Sequence, residues 1–314
     1  MTTLDPATPA TEGPNQAQNR FVVACVALFA GAIAMGVSPV FVRFAAVDPF
    51  VSAFWRVTMA LPLLWIWARI ENSGRGRGRR AAPLMRRFSP LVVLAGVLFA
   101  GDLVFWHLSI HHTTIANATL LATLSPVWVV LGSRFLIRET VARGTVAGLA
   151  LCIAGAALLV GAGFQVHPGR LVGDLYGVVT SLFFGSYVLV VRVLRKSMGA
   201  GEMMFLSSVV TAAVLLVVAL AGGGPMWPPT LAGVVSLVSI AVFSHVGGQG
   251  LTAFALGHLP AAFSSLVIFV EALAAAITGY FVFGEDMTPL QMAGAATLIL
   301  GIWVARPRRA AAAG

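Results

Sequence analysis

Residues 135–155, FLIRETVARGTVAGLALCIAG, and residues 281–301, FVFGEDMTPLQMAGAATLILG, carry one pattern twice, 146 positions apart. The matching landmarks are a glutamate and two glycines: Glu139 with Glu285, Gly148 with Gly294, and Gly155 with Gly301. Residues 36–43 and 185–192 add a second match at a shift of 149. Many Ala and Leu matches arise by chance in apolar helices, so the glutamate and the glycines are the informative positions. They indicate a tandem duplication.

The composition places this duplication in a membrane. Apolar residues make up 59% of the chain and charged residues only 10%, whereas a soluble domain carries about 25% charged residues. Apolar runs such as residues 214–220 lack the alternation that is typical of outer-membrane barrels. We therefore predict an all-α integral membrane protein.

Ten apolar stretches follow one another, five in each copy of the repeat. A hydrocarbon core of about 30 Å requires about 20 helical residues, and we place the spans at 21–44, 49–70, 89–110, 113–136, 142–163, 174–195, 202–222, 231–255, 259–283 and 287–306. Since five is an odd number, the two copies must cross the membrane in opposite senses. The predicted organisation is a disordered tail (1–20), a first five-helix repeat (21–163), a second, inverted repeat (174–306) and a second tail (307–314).

The distribution of basic residues predicts the orientation. Of the 20 Lys and Arg residues, 17 lie before span 1, around the loops that follow even-numbered spans, or at the C-terminus. The positive-inside rule then places both termini in the cytoplasm, and we expect a multi-pass protein of the bacterial inner (plasma) membrane. The same rule explains the arginine-rich stretch 75–87, so the net charge of +9 does not indicate a nucleic-acid partner.

The cysteines and the repeated glycines favour structural roles. Cys25 and Cys152 fall inside apolar spans, so we interpret them as packing residues rather than a disulfide or ligand pair. No pattern indicates a metal site or a cofactor. The glycine pairs of the repeat give spans 5 and 10 smooth faces, which suit packing within a monomer or contact in a homodimer.

Ionisable residues within the spans are sharper evidence, because a charge at the bilayer centre costs about 2.5 to 3.5 kcal/mol. Arg56 and Asp102 lie at similar depths in spans 2 and 3, so they could form a structural ion pair or bind substrate or protons. Glu271 and His245 lie near the midplane of spans 9 and 8, with Gln249 one turn beyond the histidine. We predict substrate binding at these residues and proton coupling at Glu271 and His245. A hydrogen-bonded core pair is the alternative for the last two.

Two aromatic residues share this setting. Trp106 lies one turn from Asp102 on span 3, and Tyr187 lies in the apolar span 6, so we predict that both line a cavity. Acidic residues at span boundaries are instead expected to cap helices or complement their dipoles; these are Asp48, Glu139, Asp174 and Glu285.

Short motifs also recur at fixed places along the spans. They are Gly36-Val37-Ser38-Pro39 in span 1, Phe54-Trp55-Arg56 in span 2, Leu124-Ser125-Pro126 and Arg138-Glu139 around span 4, and Phe283-Gly284-Glu285 after span 9. In their order and spacing they resemble the EamA repeat of the drug/metabolite transporter superfamily, over about residues 21–306.

This resemblance implies a ten-helix, inverted-repeat carrier with cytoplasmic termini. It also implies a central cavity lined mainly by spans 1, 3, 4, 6, 8 and 9, which adds Asn117 to the candidate substrate-binding residues and places Arg56, on span 2, at the periphery. Members of the family often carry Glu-Pro where this chain has Glu271 and Ala272. Without that proline we expect span 9 to be straighter than span 4.

We predict a secondary transporter that works by alternating access, most readily an exporter of amino acids or related amines. Asp102 or Glu271 would bind the amine, and Trp106 or Tyr187 the side chain. The expected partners are a small-molecule substrate, protons and the lipid bilayer. A drug or cation efflux carrier and a metabolite importer of the same fold stay open as alternatives.

Other functional classes fit the sequence less well. A membrane-embedded enzyme would require a nucleophile with its base and orienting group, or a metal set, and no such pattern is found, so we predict no enzymatic activity. A channel would require a ring of like charges, and a scaffold would need no buried charge. The four buried ionisable residues fit neither.

Overall fold

A computed structural model describes residues 14–73, 88–160, 167–284 and 287–307. Within these residues the chain is almost entirely helical. Nine of the described helices are long and apolar enough to cross a membrane, and a shorter apolar helix, Pro289–Ala305, follows them. The predicted all-α, ten-helix membrane architecture is confirmed.

The first half contains five spans. Their helices are Pro14–Phe44 (span 1), Pro49–Thr58 and Leu61–Ser73 (span 2), Pro90–His112 (span 3), Ile115–Ala122 and Ser125–Phe135 (span 4), and Arg143–Val160 (span 5). Span 1 thus begins before the predicted boundary at Phe21, and the predicted disorder of residues 14–20 is wrong. Residues 1–13 lie outside the described part of the chain.

The second half repeats this arrangement. Its helices are Leu171–Leu194 (span 6, after a 3₁₀ turn at Pro168–Arg170), Ala200–Ala221 (span 7), Leu231–Ser239, Ile240–Gln249 and Gly250–Leu256 (span 8), Ala261–Val267 and Phe269–Phe283 (span 9), and Pro289–Ala305 (span 10). Glu285, the acidic landmark of this half, and tail residues 308–314 lie outside the described residues.

Side-chain caps and prolines start several of these helices. Asp48 accepts a hydrogen bond from the Phe50 N–H at 2.9 Å, which confirms its predicted capping role. Ser89, Thr114 and Thr288 cap spans 3, 4 and 10 in the same way. Asp174 does not cap span 6, because that helix already begins at Leu171 and the aspartate lies in its first turn.

Spans 4 and 9 are interrupted at matching positions of the two repeats. Span 4 breaks at Thr123 and Leu124, just before Pro126. Span 9 breaks at Ile268, which corresponds to Ala122 at the shift of 146, with no proline beside it. An interruption therefore occurs in span 9 without a proline beside it. The expectation that span 9 is straighter than span 4 stays a prediction.

Span 8 contains a different irregularity. Its middle third, Ile240–Gln249, is a π-helix. Such segments are rare and are found often at functional sites, because the wider turn redirects side chains. In this chain it contains His245 and ends at Gln249.

The two halves pack into each other. Span 3 packs along span 6, span 1 packs against spans 8 and 9, and spans 2 and 3 both contact span 7. The first helix of span 2, Pro49–Thr58, also touches the π-helix of span 8. This contact brings the first helix of span 2 into the molecular interior, in contrast to the peripheral position implied by the family resemblance.

Spans 5 and 10 form a separate pair held by the repeated glycines. A Cβ atom on Gly155 would lie 2.7 Å from the Leu298 nitrogen and 2.9 Å from the Gly294 oxygen. Only glycine permits this backbone approach. Cys152 is buried in the same contact as a free thiol 3.8 Å from the Leu298 oxygen. The glycine faces therefore pack within the monomer.

Candidate functional site

A group of ionisable side chains on spans 2, 3, 8 and 9 forms what we call the central cluster: Arg56, Asp102, His245 and Glu271. Arg56, in the last turn of Pro49–Thr58, interacts electrostatically with Asp102 and Glu271. The two carboxyl groups also interact with each other. Both signs of charge are therefore gathered in the membrane interior, where an isolated charge is costly.

Glu271 is positioned by the interruption of span 9. It lies in the first turn of Phe269–Phe283, where the positive end of the helix dipole favours a carboxylate. Span 1 approaches this turn at Gly36, where a Cβ atom would lie 2.7 Å from the Ala274 Cβ and 3.0 Å from the Glu271 Cα. A larger residue at Gly36 would displace the glutamate.

The carboxyl groups of the central cluster keep part of their surface exposed. Asp102 and Glu271 are only partly buried, although both lie deep within their spans. Neither carboxyl group has a hydrogen-bond partner in the described part of the chain. Arg56 and Asp102 interact electrostatically, but the direct ion pair, one of the two alternatives for these residues, is not formed in the described chain. Both carboxyl groups therefore keep unused hydrogen-bond acceptors in this conformation.

His245 contributes a buried imidazole to the central cluster. Its side chain is 1% exposed, and its Nε2 atom is hydrogen-bonded to the Ser208 hydroxyl of span 7 at 2.8 Å. Its Nδ1 atom is buried without a partner in the described residues. The ring interacts electrostatically with Arg56. The alternative of a hydrogen-bonded His245–Glu271 pair is wrong in this conformation, because Ser208 is the partner of the histidine.

Phe99 connects the cluster through its ring, although the sequence analysis did not single it out. Its centroid lies 5.0 Å from that of Tyr187 and 5.5 Å from that of His245. The Arg56 guanidinium carbon lies 5.8 Å from the same centroid. Phe99 is three residues before Asp102 on span 3. Phe99 could have been identified from the sequence by this spacing, because it lies one helical turn from a charged residue inside an apolar span.

The other predicted cavity residues occupy mixed environments. Tyr187 is 4% exposed, and its hydroxyl lies 3.7 Å from the Met204 sulfur. Gln249 is 3% exposed at the end of the π-helix. Trp106 is partly buried, and its ring contacts that of His107 edge-on at 5.0 Å. Tyr187 and Gln249 therefore lie in the core, while Trp106 lies one turn beyond Asp102 on span 3.

Asn117 has a structural partner instead. Its side-chain amide donates to the Asp174 carboxylate at 2.9 Å, and the Thr113 hydroxyl donates to the same oxygen at 2.6 Å. This cluster joins the start of span 4 to the first turn of span 6. The Asn117 side chain therefore links two helices in this conformation, and its role in substrate binding stays a prediction.

A second network joins the two halves at the predicted cytoplasmic end. One Glu139 oxygen lies 2.5 Å from the Arg192 Nε, and the other accepts from the Ala261 N–H at 3.0 Å. Arg192 also donates to the Leu256 carbonyl at 2.7 Å. Glu139 therefore caps a helix as predicted, but the helix is span 9 rather than its own neighbour, span 5.

Glu71 plays the same part for span 7. Its two oxygens accept from the backbone N–H groups of Ala200 and Gly201, each at 3.0 Å. These are the first residues of span 7, so the glutamate at the end of span 2 caps a helix of the opposite half. Both carboxylates thus fasten one repeat to the other at the same end of the bundle.

The duplicated helical architecture agrees with comparisons to known proteins. The family model of the EamA-like transporter family matches residues 22–161 and, a second time, residues 171–306. This chain belongs to the EamA-like transporter family. It is a multi-pass membrane transporter, and each half of the bundle is one copy of the family's domain.

Individual relatives are distant. An uncharacterized transporter of Archaeoglobus fulgidus is 26% identical over 200 residues, which cover 63% of this chain and 69% of the relative. The pseudopaline exporter CntI of Pseudomonas aeruginosa is 26% identical over 217 residues, covering 69% and 75%. A crystal structure that is 19% identical aligns with a TM-score of 0.73 over 91% of this chain and 98% of its own. That last similarity concerns the fold alone.

Proposed function

We propose that this transporter exports amino acids or related amines across the bacterial inner membrane. The observation that carries the proposal is the pair of partly exposed carboxyl groups, Asp102 and Glu271, deep within spans 3 and 9 and without hydrogen-bond partners in the described residues. An ammonium group placed between them would satisfy both by charge-assisted hydrogen bonds. The aromatic rings of Phe99 and Tyr187 supply an apolar wall for the rest of the substrate.

The proposed mechanism is alternating access, in which the two inverted halves rock about the central cluster. The matched interruptions of spans 4 and 9 support it, since broken helices near the midplane are typical of transporters built in this way. The distribution of basic residues supports cytoplasmic termini. An exporter among the relatives supports the outward direction.

Efflux assays test the substrate class. Cells lacking the protein, with and without a plasmid that encodes it, would be loaded with labelled amino acids, amines and cationic dyes. We expect faster loss of at least one amino acid or amine from the cells that carry the protein, and loss of this difference in the Asp102→Asn variant. Equal retention of every amino acid and amine would contradict the proposal. Efflux of the dyes alone would favour the drug carrier, and faster accumulation the importer.

Proton coupling through Glu271 is a second part of the proposal. Glu271 is the carboxyl group at the break of span 9, and it interacts electrostatically with Arg56 and Asp102. Arg56 interacts in turn with the titratable groups Tyr187, His107 and His245. We expect transport to vary with an imposed pH gradient. The Glu271→Gln variant should lose that dependence, because the glutamine amide does not ionise. Glu202→Gln, in the first turn of span 7, is the control. A full pH dependence in Glu271→Gln would contradict the coupling.

A further inference from the structure

We infer that Arg56 binds the carboxylate of the substrate, and that the cavity therefore selects zwitterionic amino acids over simple amines. This inference rests on the proposed function and narrows its substrate class. It concerns a residue of span 2, where the family resemblance gave no reason to expect contact with the cavity.

The Arg56 guanidinium is incompletely hydrogen-bonded. The Arg56 Nε atom is buried and has no hydrogen-bond partner among the described residues. Leaving a buried donor unsatisfied costs free energy, and more so when the group is charged. Arg56 interacts electrostatically with Asp102 and Glu271, but forms no direct ion pair with either in that part of the chain. A ligand with an anionic group would supply the missing acceptors.

The Arg56 side chain lies toward the aromatic rings of spans 3 and 6. The guanidinium carbon is 5.8 Å from the centre of the Phe99 ring, and the same ring contacts Tyr187 and His245. Arg56 therefore lies beside the ring of Phe99, next to the other members of the central cluster, rather than toward lipid. Guanidinium groups bind carboxylates through two parallel hydrogen bonds, so this position suits a planar carboxylate that enters beside the rings.

The central cluster contains ionisable groups of both signs, as an amino-acid site requires. One guanidinium and two carboxyl groups present both poles that an amino acid requires, the cation for its carboxylate and the acids for its ammonium group. A simple amine would be repelled by Arg56, and a simple carboxylic acid by Asp102 and Glu271. With one proton on either carboxyl group, the site holding a zwitterion carries no net charge, which the membrane interior favours.

A purely structural role for Arg56 makes a different prediction. The residue lies in the last turn of Pro49–Thr58, where a cation complements the negative end of the helix dipole. If that were its only role, replacing it would change stability and not the relative affinity for amines and amino acids. Selectivity, rather than activity alone, is therefore the informative measurement.

The test uses purified full-length protein and calorimetric titration of two matched sets of compounds. The first set is phenylalanine, phenethylamine and 3-phenylpropanoate, and the second is leucine, 3-methylbutylamine and 4-methylpentanoate. The variants are Arg56→Gln and Arg56→Lys. Arg69→Gln is the matched control, because Arg69 is exposed on the second helix of the same span and stacks over Trp65 at 5.4 Å.

We expect the wild-type protein to bind at least one amino acid about tenfold or more tightly than its amine. In Arg56→Gln we expect amino-acid affinity to fall about 10- to 100-fold, toward that of the amine, because a charge-assisted pair is lost. The affinity of Arg56→Gln for the amine should be unchanged or higher. Binding of the amine would also show that this variant is folded. The affinity of Arg56→Lys for the amino acid should lie between those of the wild type and Arg56→Gln, because lysine keeps the positive charge but lacks the planar guanidinium.

Four results would overturn the inference. An unchanged preference for the amino acid in Arg56→Gln would show that Arg56 does not read the carboxylate. Equal loss of amine and amino-acid binding would assign it a structural role. Equal wild-type affinity for amine and amino acid would refute the selectivity but leave the proposed function intact. Binding of none of the six compounds by the wild-type protein would contradict the proposed substrate class itself.

Discussion

The two ring nitrogens of His245 have different environments, and the difference defines what Ser208 does. The Ser208 hydroxyl is bonded to Nε2 at 2.8 Å, while Nδ1 is buried and unpartnered in the described chain. The serine therefore fixes the ring against span 7 and leaves Nδ1 for a proton, a water molecule or a substrate group. A histidine with two satisfied nitrogens would have no such capacity.

Removing the Ser208 hydroxyl should therefore reduce stability. We expect Ser208→Ala to lower the free energy of unfolding by about 1 to 3 kcal/mol, because a buried nitrogen loses its partner. Denaturant-induced unfolding in detergent micelles measures this difference. The control is Ser239→Ala on span 8, the span of His245, since that hydroxyl makes an exposed bond to the Val235 carbonyl of its own helix. Equal effects of the two substitutions would contradict the role given to Ser208.

Single residues differ in how far the sequence predicts their position. The buried acids Asp102 and Glu271 could be singled out because charge inside an apolar span is rare. Arg56 carried the same signal, yet its interior location depends on contact between Pro49–Thr58 and the π-helix, which no local pattern encodes. Asn117 shows the opposite case, since its amide is used by Asp174, a residue 57 positions away.

At the scale of helices, the Glu139 network is a joint between four elements. It connects the end of span 4 to the end of span 6, the last turn of span 8 and the first turn of span 9. Three kinds of group meet there: a carboxylate, a guanidinium and the free ends of two helices. Each group satisfies backbone atoms that the helix termini leave without partners.

A double-mutant cycle tests the joint. We expect Glu139→Gln and Arg192→Gln each to destabilise the protein, and the double variant to be more stable than the sum predicts, with a coupling of about 1 kcal/mol. The estimate is modest because both side chains are 18% exposed and solvent screens the pair. The cycle cancels the separate bonds to Ala261 and Leu256. Additive effects, measured by the same unfolding assay, would show that the ion pair contributes nothing.

The irregular helices show where prediction from sequence reaches its limit. Pro126 gave a local reason for the break in span 4. Span 9 breaks at Ile268 and span 8 widens into a π-helix with no proline in either segment. Both irregular segments contact span 1, which lies far away in sequence. Helix propensity and hydropathy are properties of the local sequence, so they cannot predict such contacts.

At the scale of the whole molecule, the duplication could be read directly from the sequence, because repeated glycines must repeat a contact. The structure gives the contact: spans 5 and 10 pack face to face, with Gly148 beside Gly301 and Gly155 beside Gly294. The repeats also exchange contacts at the centre, where span 3 lies along span 6. The features that differ between the repeats, Asp102, His245 and Glu271, lie in the central cluster, so asymmetry is concentrated where we place the substrate.

The inverted repeats and the basic loops together predict the orientation, which cysteine labelling can test. In a Cys25→Ala, Cys152→Ala background, one new cysteine would be placed at His167, in the loop before span 6, or at Lys196, just after it. Both positions are exposed. Because span 6 separates them, a membrane-impermeant maleimide should label only one of the two in intact cells.

We expect labelling at position 167 in intact cells and at position 196 only after the membrane is permeabilised, since the positive-inside rule places Arg192, Arg195 and Lys196 in the cytoplasm. The permeabilised sample is the control for reactivity at both sites, and the cysteine-free background is the control for specificity. The reverse pattern would place both termini outside the cytoplasm. It would also move the Glu139 network to the outer end of the transporter.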